Sequence, residues 1–279
     1  MTLNKGIINI LIASFFFSIV NALVKYLDRI PAIEIIFFRS LVSFVICYSI
    51  VLKKNIKIFN KHTPTLFARG LFGAIALSLY FYTIQQMPLA TAVTILYLAP
   101  IFTVFFAIFI VGEFPNKLQI PFFILCFIGA ALLKNFDPRV ELFDFLCGIF
   151  AAMFAGLAYN MIRLLRGKAD STLIILYFPM VTIPFCIPWL LKLWVTPNWQ
   201  ELILLLSIGG FTQLAQVFMT NAYLYEKASV VSQYNYMTCL FAFLTGIIFF
   251  NEHLSLLSLL GLFLIFVGIV FSSKFAPRS

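Results

Sequence analysis

The stretch AIEIIFFRSLVSFVI, residues 32 to 46, decides how this chain is to be read. Apart from Glu34 and Arg39 it contains only apolar residues and two serines. A guanidinium cannot shed its charge at any accessible pH, so an arginine inside an oily run has to be explained. The composition around it sets the solvent. Of 279 residues 63% are hydrophobic and 10% charged, and the mean hydropathy is +1.05. Soluble domains carry about 25% charged residues and could not hide so much apolar surface. Most of this chain therefore faces lipid, where backbone groups must be satisfied within helices or closed barrels.

A span needs about 20 apolar residues, interrupted by polar or proline-containing breaks. Ten helical spans result, at 6–27, 31–52, 66–86, 89–111, 117–134, 143–164, 172–194, 200–223, 229–250 and 255–273. QQMPL (85–89) and GEFPN (112–116) read as tight helix–helix turns, with proline stopping or starting a helix. Lys5 precedes the first span without a small-residue cleavage site, so that span is expected to be retained. The expected fold class is an all-α membrane protein, one polytopic domain over 1–279.

Charge sets orientation. With the N-terminus inside, the cytoplasmic side collects 13 of the 19 Lys and Arg, including Lys53, Lys54, Arg69, Arg163 and Arg166. Five, among them Lys25 and Arg29, fall outside, and Arg39 is mid-span. A bacterial inner membrane is the expected setting, and the excess favours both termini in the cytoplasm. It also explains the net charge of +9 without nucleic acid, since these residues set topology and meet anionic headgroups.

The chain repeats itself. A slide of 139 residues puts Gly70 on Gly209, Tyr97 on Tyr236, Glu113 on Glu252 and Gly129 on Gly268; a slide of 138 puts Lys25 on Arg163 and Arg39 on Tyr177. Two five-helix halves, 1–140 and 141–279, are expected. Five is odd, so the second half is inverted, an arrangement used by transporters that open alternately to either side.

Arg39 lies about 12 Å below the outer boundary at 1.5 Å per residue. Holding it there costs about 2.5–3.5 kcal/mol on an insertion scale, so it faces the bundle interior or water. Two readings stand: a structural tie to backbone carbonyls or Glu34, and a counter-charge for a solute's carboxylate or phosphate. The second is the expectation. Glu34 is five residues away and off the arginine's helix face. All ten acids lie in loops or within about one turn of a span end, so no central carboxylate is available to exchange a proton for a lipophilic cation. Anionic or zwitterionic solutes are favoured.

Neutral polar residues gather on a few helices. Gln213 and Gln216 share a face of the eighth span with Thr220, beside Asn221. Gln233 and Tyr236 lie on the ninth, and their repeat partners Thr94 and Tyr97 on the fourth. Asn21, Tyr159 and Asn160 come from the first and sixth spans, Tyr177 from the seventh. With Arg39 these form the candidate substrate site. Each amide taken singly can also be an interhelical tie. Spans five and ten are nearly pure hydrocarbon and read as peripheral. Glu113 and Glu252 brace turns, and Asn116 caps the following helix. Gly70, Gly73, Gly129, Gly156 and Gly209 permit close helix approach, and Pro100 and Pro179 are candidate flexing points. Cys47, Cys126, Cys147, Cys186 and Cys239 lack metal or redox spacing and read as small buried hydrophobes. No catalytic, metal or cofactor motif is present, so no enzyme is expected.

These residues resemble the drug/metabolite transporter superfamily in its ten-helix EamA-type branch. The resemblance rests on Arg39, RG at 69–70, MPLATA at 87–92, Pro100, GE at 112–113 and Gly129, in that order. It implies two inverted five-helix repeats around a central cavity, with spans five and ten outside, and transport of amino acids or other small metabolites. EIIFFR (34–39) is slightly similar to members that import S-adenosylmethionine. The second half departs from the pattern, with Lys227, Cys239 and Asn251 in place of two prolines and a glycine. The expectation is a monomeric metabolite transporter using alternating access. A lipid-headgroup flippase or a non-catalytic membrane partner subunit is the alternative.

Overall fold

The structure is a computed structural model and describes residues 5–96, 98–114, 116–136, 140–227, 230–231, 234, 237–250 and 256–275. The described residues are helical, with no strand among them. The helices are α1 (Lys5–Tyr26), α2 (Ala32–Lys53), α3 (Thr63–Gln86), α4 (Leu89–Leu96), α5 (Ala99–Ile110), α6 (Ile120–Phe136), α7 (Leu142–Leu164), α8 (Ser171–Leu193), α9 (Trp199–Tyr225), α10 (Met237–Phe250) and α11 (Leu256–Lys274). Six of them, α1, α2, α3, α7, α8 and α9, and the stretch Thr91–Ile110 make seven candidate spans, long and apolar enough to cross a membrane. The other three expected spans fall on α6, α10 and α11, which do not reach that standard over their described residues.

Local chemistry accounts for where helices begin. Asn198 accepts from the Glu201 amide at 2.9 Å while Glu201 reaches back to the Asn198 amide, a reciprocal box that starts α9. Asp170 accepts from the Thr172 amide at 2.8 Å and starts α8. Asn116 makes the same kind of box with Gln119 at a short 3₁₀ turn, Lys117–Gln119, ahead of α6, as expected of a cap. The fourth span is broken. Pro100 stands in the first turn of α5 and cannot donate backward, so α4 ends at Leu96 and α5 restarts at Ala99.

The bundle packs by pairs: α3 against α7, α1 against α9, α2 against α8, α3 against α8 and α2 against α9. α6 and α11 pack chiefly against each other, away from the rest, as expected of peripheral helices. Phe15, Val45, Phe109, Leu191 and Phe263 are exposed on the outside, where lipid would cover them. All three tryptophans, Trp189, Trp194 and Trp199, are exposed around the α8–α9 junction, the position of an interfacial aromatic belt.

Two details recur at the sequence offset. The Lys25 ammonium, at the end of α1, donates to the Ile84 and Met87 carbonyls at 3.2 and 2.7 Å, closing the end of α3. The Arg163 guanidinium, at the end of α7, donates to the Tyr223 and Glu226 carbonyls at 3.4 and 2.9 Å, closing the end of α9. A side-chain cation beside the last carbonyls of a helix satisfies orphan acceptors and complements the dipole. A methyl on Gly70 would stand 2.6 Å from the Tyr177 carbonyl and 2.8 Å from the Val181 side chain; one on Gly209 would stand 2.6 Å from Val42. Gly70 and Gly209, and Val42 and Val181, are each related by 139 residues.

Two sequence readings need correction. The third span begins at Thr63 rather than at 66, which moves Arg69 from its first turn into its second, and Arg69 is buried rather than a charge at the cytoplasmic surface. Glu113 does more than brace a turn, because its carboxylate pairs with the Arg163 Nε at 2.7 Å. Cys47, Cys147 and Cys186 are free and buried, as small hydrophobes would be.

Candidate functional site

α1, α2, α3, α7, α8 and α9 surround a cavity of about 100 Å³, bounded also by the α4–α5 break at Leu96 and Ala99. It has room for several water-sized occupants. Most of its wall is apolar: Phe17, Val20, Leu77, Ala155, Ala158 and Met219. Against this background stand Asn21, Arg39, Arg69, Tyr80, Tyr159 and Gln216, and no acid lines the wall among the described residues.

Arg39 is 2% exposed, and its charge sits over two rings, 5.6 Å from the centre of Phe81 and 5.3 Å from that of Phe178. Cation–π contact of this kind offsets part of the desolvation cost. Its Nε has no hydrogen-bond partner among the described residues. Glu34 does not reach it; that carboxylate accepts from the Val195 amide at 3.0 Å. Arg69 is also 2% exposed and lies 5.3 Å from the same Phe178 ring centre. It donates to the Gln216 side-chain oxygen at 3.3 Å, and its Nε too lacks a partner. The wall thus presents two permanent cations with unspent donors, which is what an anion needs.

The expected site residues divide. Arg39, Asn21, Tyr159 and Gln216 line the cavity. Tyr159 stacks on Tyr223 with ring centres 4.9 Å apart, which holds its ring at the wall. Gln213 turns the other way, accepting from the Ser43 hydroxyl and contacting the Cys47 sulfur at 3.0 Å, so it ties α9 to α2. Asn160 donates to the Thr103 and Gly156 carbonyls, both at 2.9 Å, and ties α7 to α5. The Tyr177 hydroxyl donates to the Ile58 carbonyl at 2.9 Å in the α2–α3 connection. Thr94 is buried in α4 and Asn221 half-buried in α9, both away from the cavity wall. Tyr97, Gln233 and Tyr236 lie outside the described residues. Arg69 entered the sequence reading only as a cytoplasmic-side charge and in RG at 69–70, not as a site residue, and Phe81 and Phe178 were not singled out.

Both ends of the bundle carry ties between residues of the 1–140 and 141–279 segments. At one end Arg29 pairs with Glu201, which raises the guanidinium's already high pKa, and Glu34 meets Val195. At the other, Glu113 pairs with Arg163, Lys54 with Asp170 at 3.6 Å, and Tyr177 with Ile58.

Residues 4–134 and 143–274 match the EamA-like transporter family. The chain is 32% identical to the pseudopaline exporter CntI of Pseudomonas aeruginosa over 275 residues, 98% of this chain and 97% of that one. It is 28% identical to solute carrier family 35 member G1 of Mus musculus, covering 88% of this chain and 72% of that protein. It is 24% identical to the S-adenosylmethionine uptake transporter of Rickettsia prowazekii, covering 84% and 81%. A solved crystal structure with 16% identity superposes with a TM-score of 0.71 over 98% of this chain and 96% of the other, a likeness of fold.

Proposed function

The chain belongs to the EamA-like transporter family, a multi-pass membrane transporter of small molecules rather than an enzyme, and from that premise we propose that it carries an anionic or zwitterionic metabolite through the central cavity by alternating access. The observation that carries this reading is Arg39: a buried guanidinium facing a cavity that, among the described residues, holds no acid to neutralise it. An arginine that served only to hold helices together would have its donors spent on carbonyls, as Arg163 does. Asn21, Tyr159 and Gln216 supply further hydrogen-bonding groups beside it.

The proposed architecture is ten spans in two inverted five-helix repeats. Family matches to 4–134 and 143–274 support the duplication. So do the helix pairs, which exchange with one another when the halves are exchanged: α3 with α7 for α1 with α9, and α3 with α8 for α2 with α9. The matched Lys25 and Arg163 clasps support the same reading. Opening would release the inter-half ties at one end while keeping those at the other. Moving Arg69 out of the cytoplasmic count leaves 12 Lys and Arg inside against five outside, still favouring both termini inside. A monomer in a bacterial inner membrane is the proposed setting, in keeping with the bacterial relatives.

Reconstitution tests this. Vesicles holding the protein should exchange acidic or zwitterionic metabolites, and Arg39→Ala should remove that exchange while the protein still purifies as a folded species. Unchanged exchange in Arg39→Ala would take the arginine out of the solute site.

A further inference from the structure

The cavity carries more charge than a single counter-ion requires. Arg39 and Arg69 each lie 5.3 Å from one ring centre, that of Phe178, so their guanidinium carbons are within twice that distance of each other. Both side chains are buried, and the described wall holds no carboxylate to balance either. Each guanidinium has an Nε without a partner among the described residues. Two like charges at this separation repel in a low-dielectric site, and that repulsion persists until negative charge arrives.

The position of Arg69 is built rather than incidental. Gly73 lies one turn further along α3, and the Arg69 guanidinium crosses its bare face. A methyl at 73 would overlap that guanidinium and stand 2.7 and 2.9 Å from the Phe178 ring. Gln216 of α9 accepts from the same guanidinium on another side. Three elements thus hold Arg69 toward the cavity.

We propose that Arg39 and Arg69 act as one clamp for a small solute bearing two negative groups, with the Phe178 ring shared by both and Gly73 as the cradle that positions Arg69. A monoanion would leave one guanidinium uncompensated. A zwitterion would bring a positive group into a cavity whose described wall has no acid to receive it. A dianion balances both cations with charge-assisted, two-pronged hydrogen bonds. The proposal rests on the cavity being the solute site and narrows the solute to dianions, for which short dicarboxylates are the simplest probes.

The test is thermal unfolding of the purified chain in phosphatidylcholine nanodiscs, titrated at matched ionic strength with succinate, glutarate, adipate, butyrate and glycine. At least one dicarboxylate should stabilise the protein with an apparent affinity about tenfold or more above butyrate and glycine, the size of one added charge-assisted pair. Arg69→Gln should lower dicarboxylate affinity toward the butyrate level, a loss several-fold larger than the loss for butyrate itself. Gly73→Ala, which keeps every charge, should shift the same preference in the same direction. Equal binding of mono- and dicarboxylates, no stabilisation by any dicarboxylate in protein that unfolds cooperatively, or a preference indifferent to Arg69→Gln would each overturn the clamp. Stabilisation by phosphatidic acid in the disc that depends on both arginines, with none by soluble dicarboxylates, would assign the pair to a lipid headgroup and overturn the proposal. Vesicle counterflow separates the two levels. Binding through both arginines without exchange would refute the transport reading and leave the clamp. Exchange of zwitterions that Arg69→Gln does not alter would refute the clamp and leave the transport reading.

Discussion

α2 and α8 hold matching places in the two sequence halves, yet they bring opposite chemistry to the bundle. Arg39 of α2 faces the cavity with donors to spare, whereas Tyr177, its partner at an offset of 138, spends its hydroxyl on the Ile58 carbonyl. The ends of the bundle behave differently. Lys25 and Arg163 close the ends of α3 and α9 through carbonyls that correspond at an offset of 139, and Gly70 and Gly209 meet a corresponding valine. Frame features recur in both halves, while the cavity's charge comes from the first half alone. On the proposed alternating access, a device that closes either end needs its frame twice, but a single solute needs its counter-charge once.

The largest effect should come from the unshared part. Arg39→Gln is expected to reduce vesicle exchange of acidic solutes by about 100-fold or more, the size of two lost charge-assisted hydrogen bonds. Arg39→Lys should recover part of it, because Lys keeps the charge without the planar fork. Placing a cation in the second half instead, with Tyr177→Arg in the Arg39→Gln background, should not restore exchange. Restoration would show that the halves are interchangeable in chemistry as well as in frame.

Next come the clasps. Arg163→Ala strands the Glu113 carboxylate and frees two carbonyls, and should lower stability by about 3 kcal/mol, the low end for a buried pair because Glu113 is partly exposed. Lys25→Ala loses carbonyl contacts and should cost about 1.5–2 kcal/mol. Midpoints of denaturation in detergent, compared at one temperature, would rank the two. Equal losses would show that the Glu113 pair adds nothing to the second clasp.

The glycines sharpen the comparison further. Gly70→Ala would press on the Tyr177 backbone carbonyl, which cannot rotate aside, and should cost about 2–3 kcal/mol; Gly209→Ala meets the Val42 side chain and should cost about 1–2 kcal/mol. The same unfolding measurement reads both. The smallest difference separates two glutamines one turn apart. Gln213→Leu should lower stability by about 1–2 kcal/mol with little change in solute preference, because it removes the tie to Ser43 and Cys47. Gln216→Leu should leave stability close to wild type and change solute affinity about three- to tenfold, since it faces the cavity and steadies Arg69.

Much of this was legible from polar residues embedded in apolar runs. Asn21, Arg39, Tyr159 and Gln216 stood out for that reason, and each lines the cavity. Arg69 did not, because it stands within one turn of the expected start of the third span, at the cytoplasmic side, where a cation is routine. Its long side chain folds over Gly73 into the bundle, a reach that residue spacing does not reveal. Phe81 and Phe178 were hidden among 35 phenylalanines. Gln213 and Gln216 share a helix face that is wide enough to point one toward α2 and the other inward. The break at the fourth span could be anticipated from Pro100, since proline removes a donor wherever it stands.

The charge of the cavity can be read directly, with no solute in hand, from a single cysteine at the wall. In a chain whose five cysteines have been replaced, Ala158→Cys would be exposed to sulfonate-bearing and trimethylammonium-bearing methanethiosulfonates of similar size, with a cysteine on the outer loops as reference. If Arg39 and Arg69 make the cavity an anion site, the sulfonate reagent should be favoured about tenfold or more over its ratio at the reference cysteine, and Arg39→Gln with Arg69→Gln should erase that preference. A ratio at Ala158→Cys equal to the reference, unaffected by either arginine, would contradict the cationic cavity on which this reading of the transporter stands.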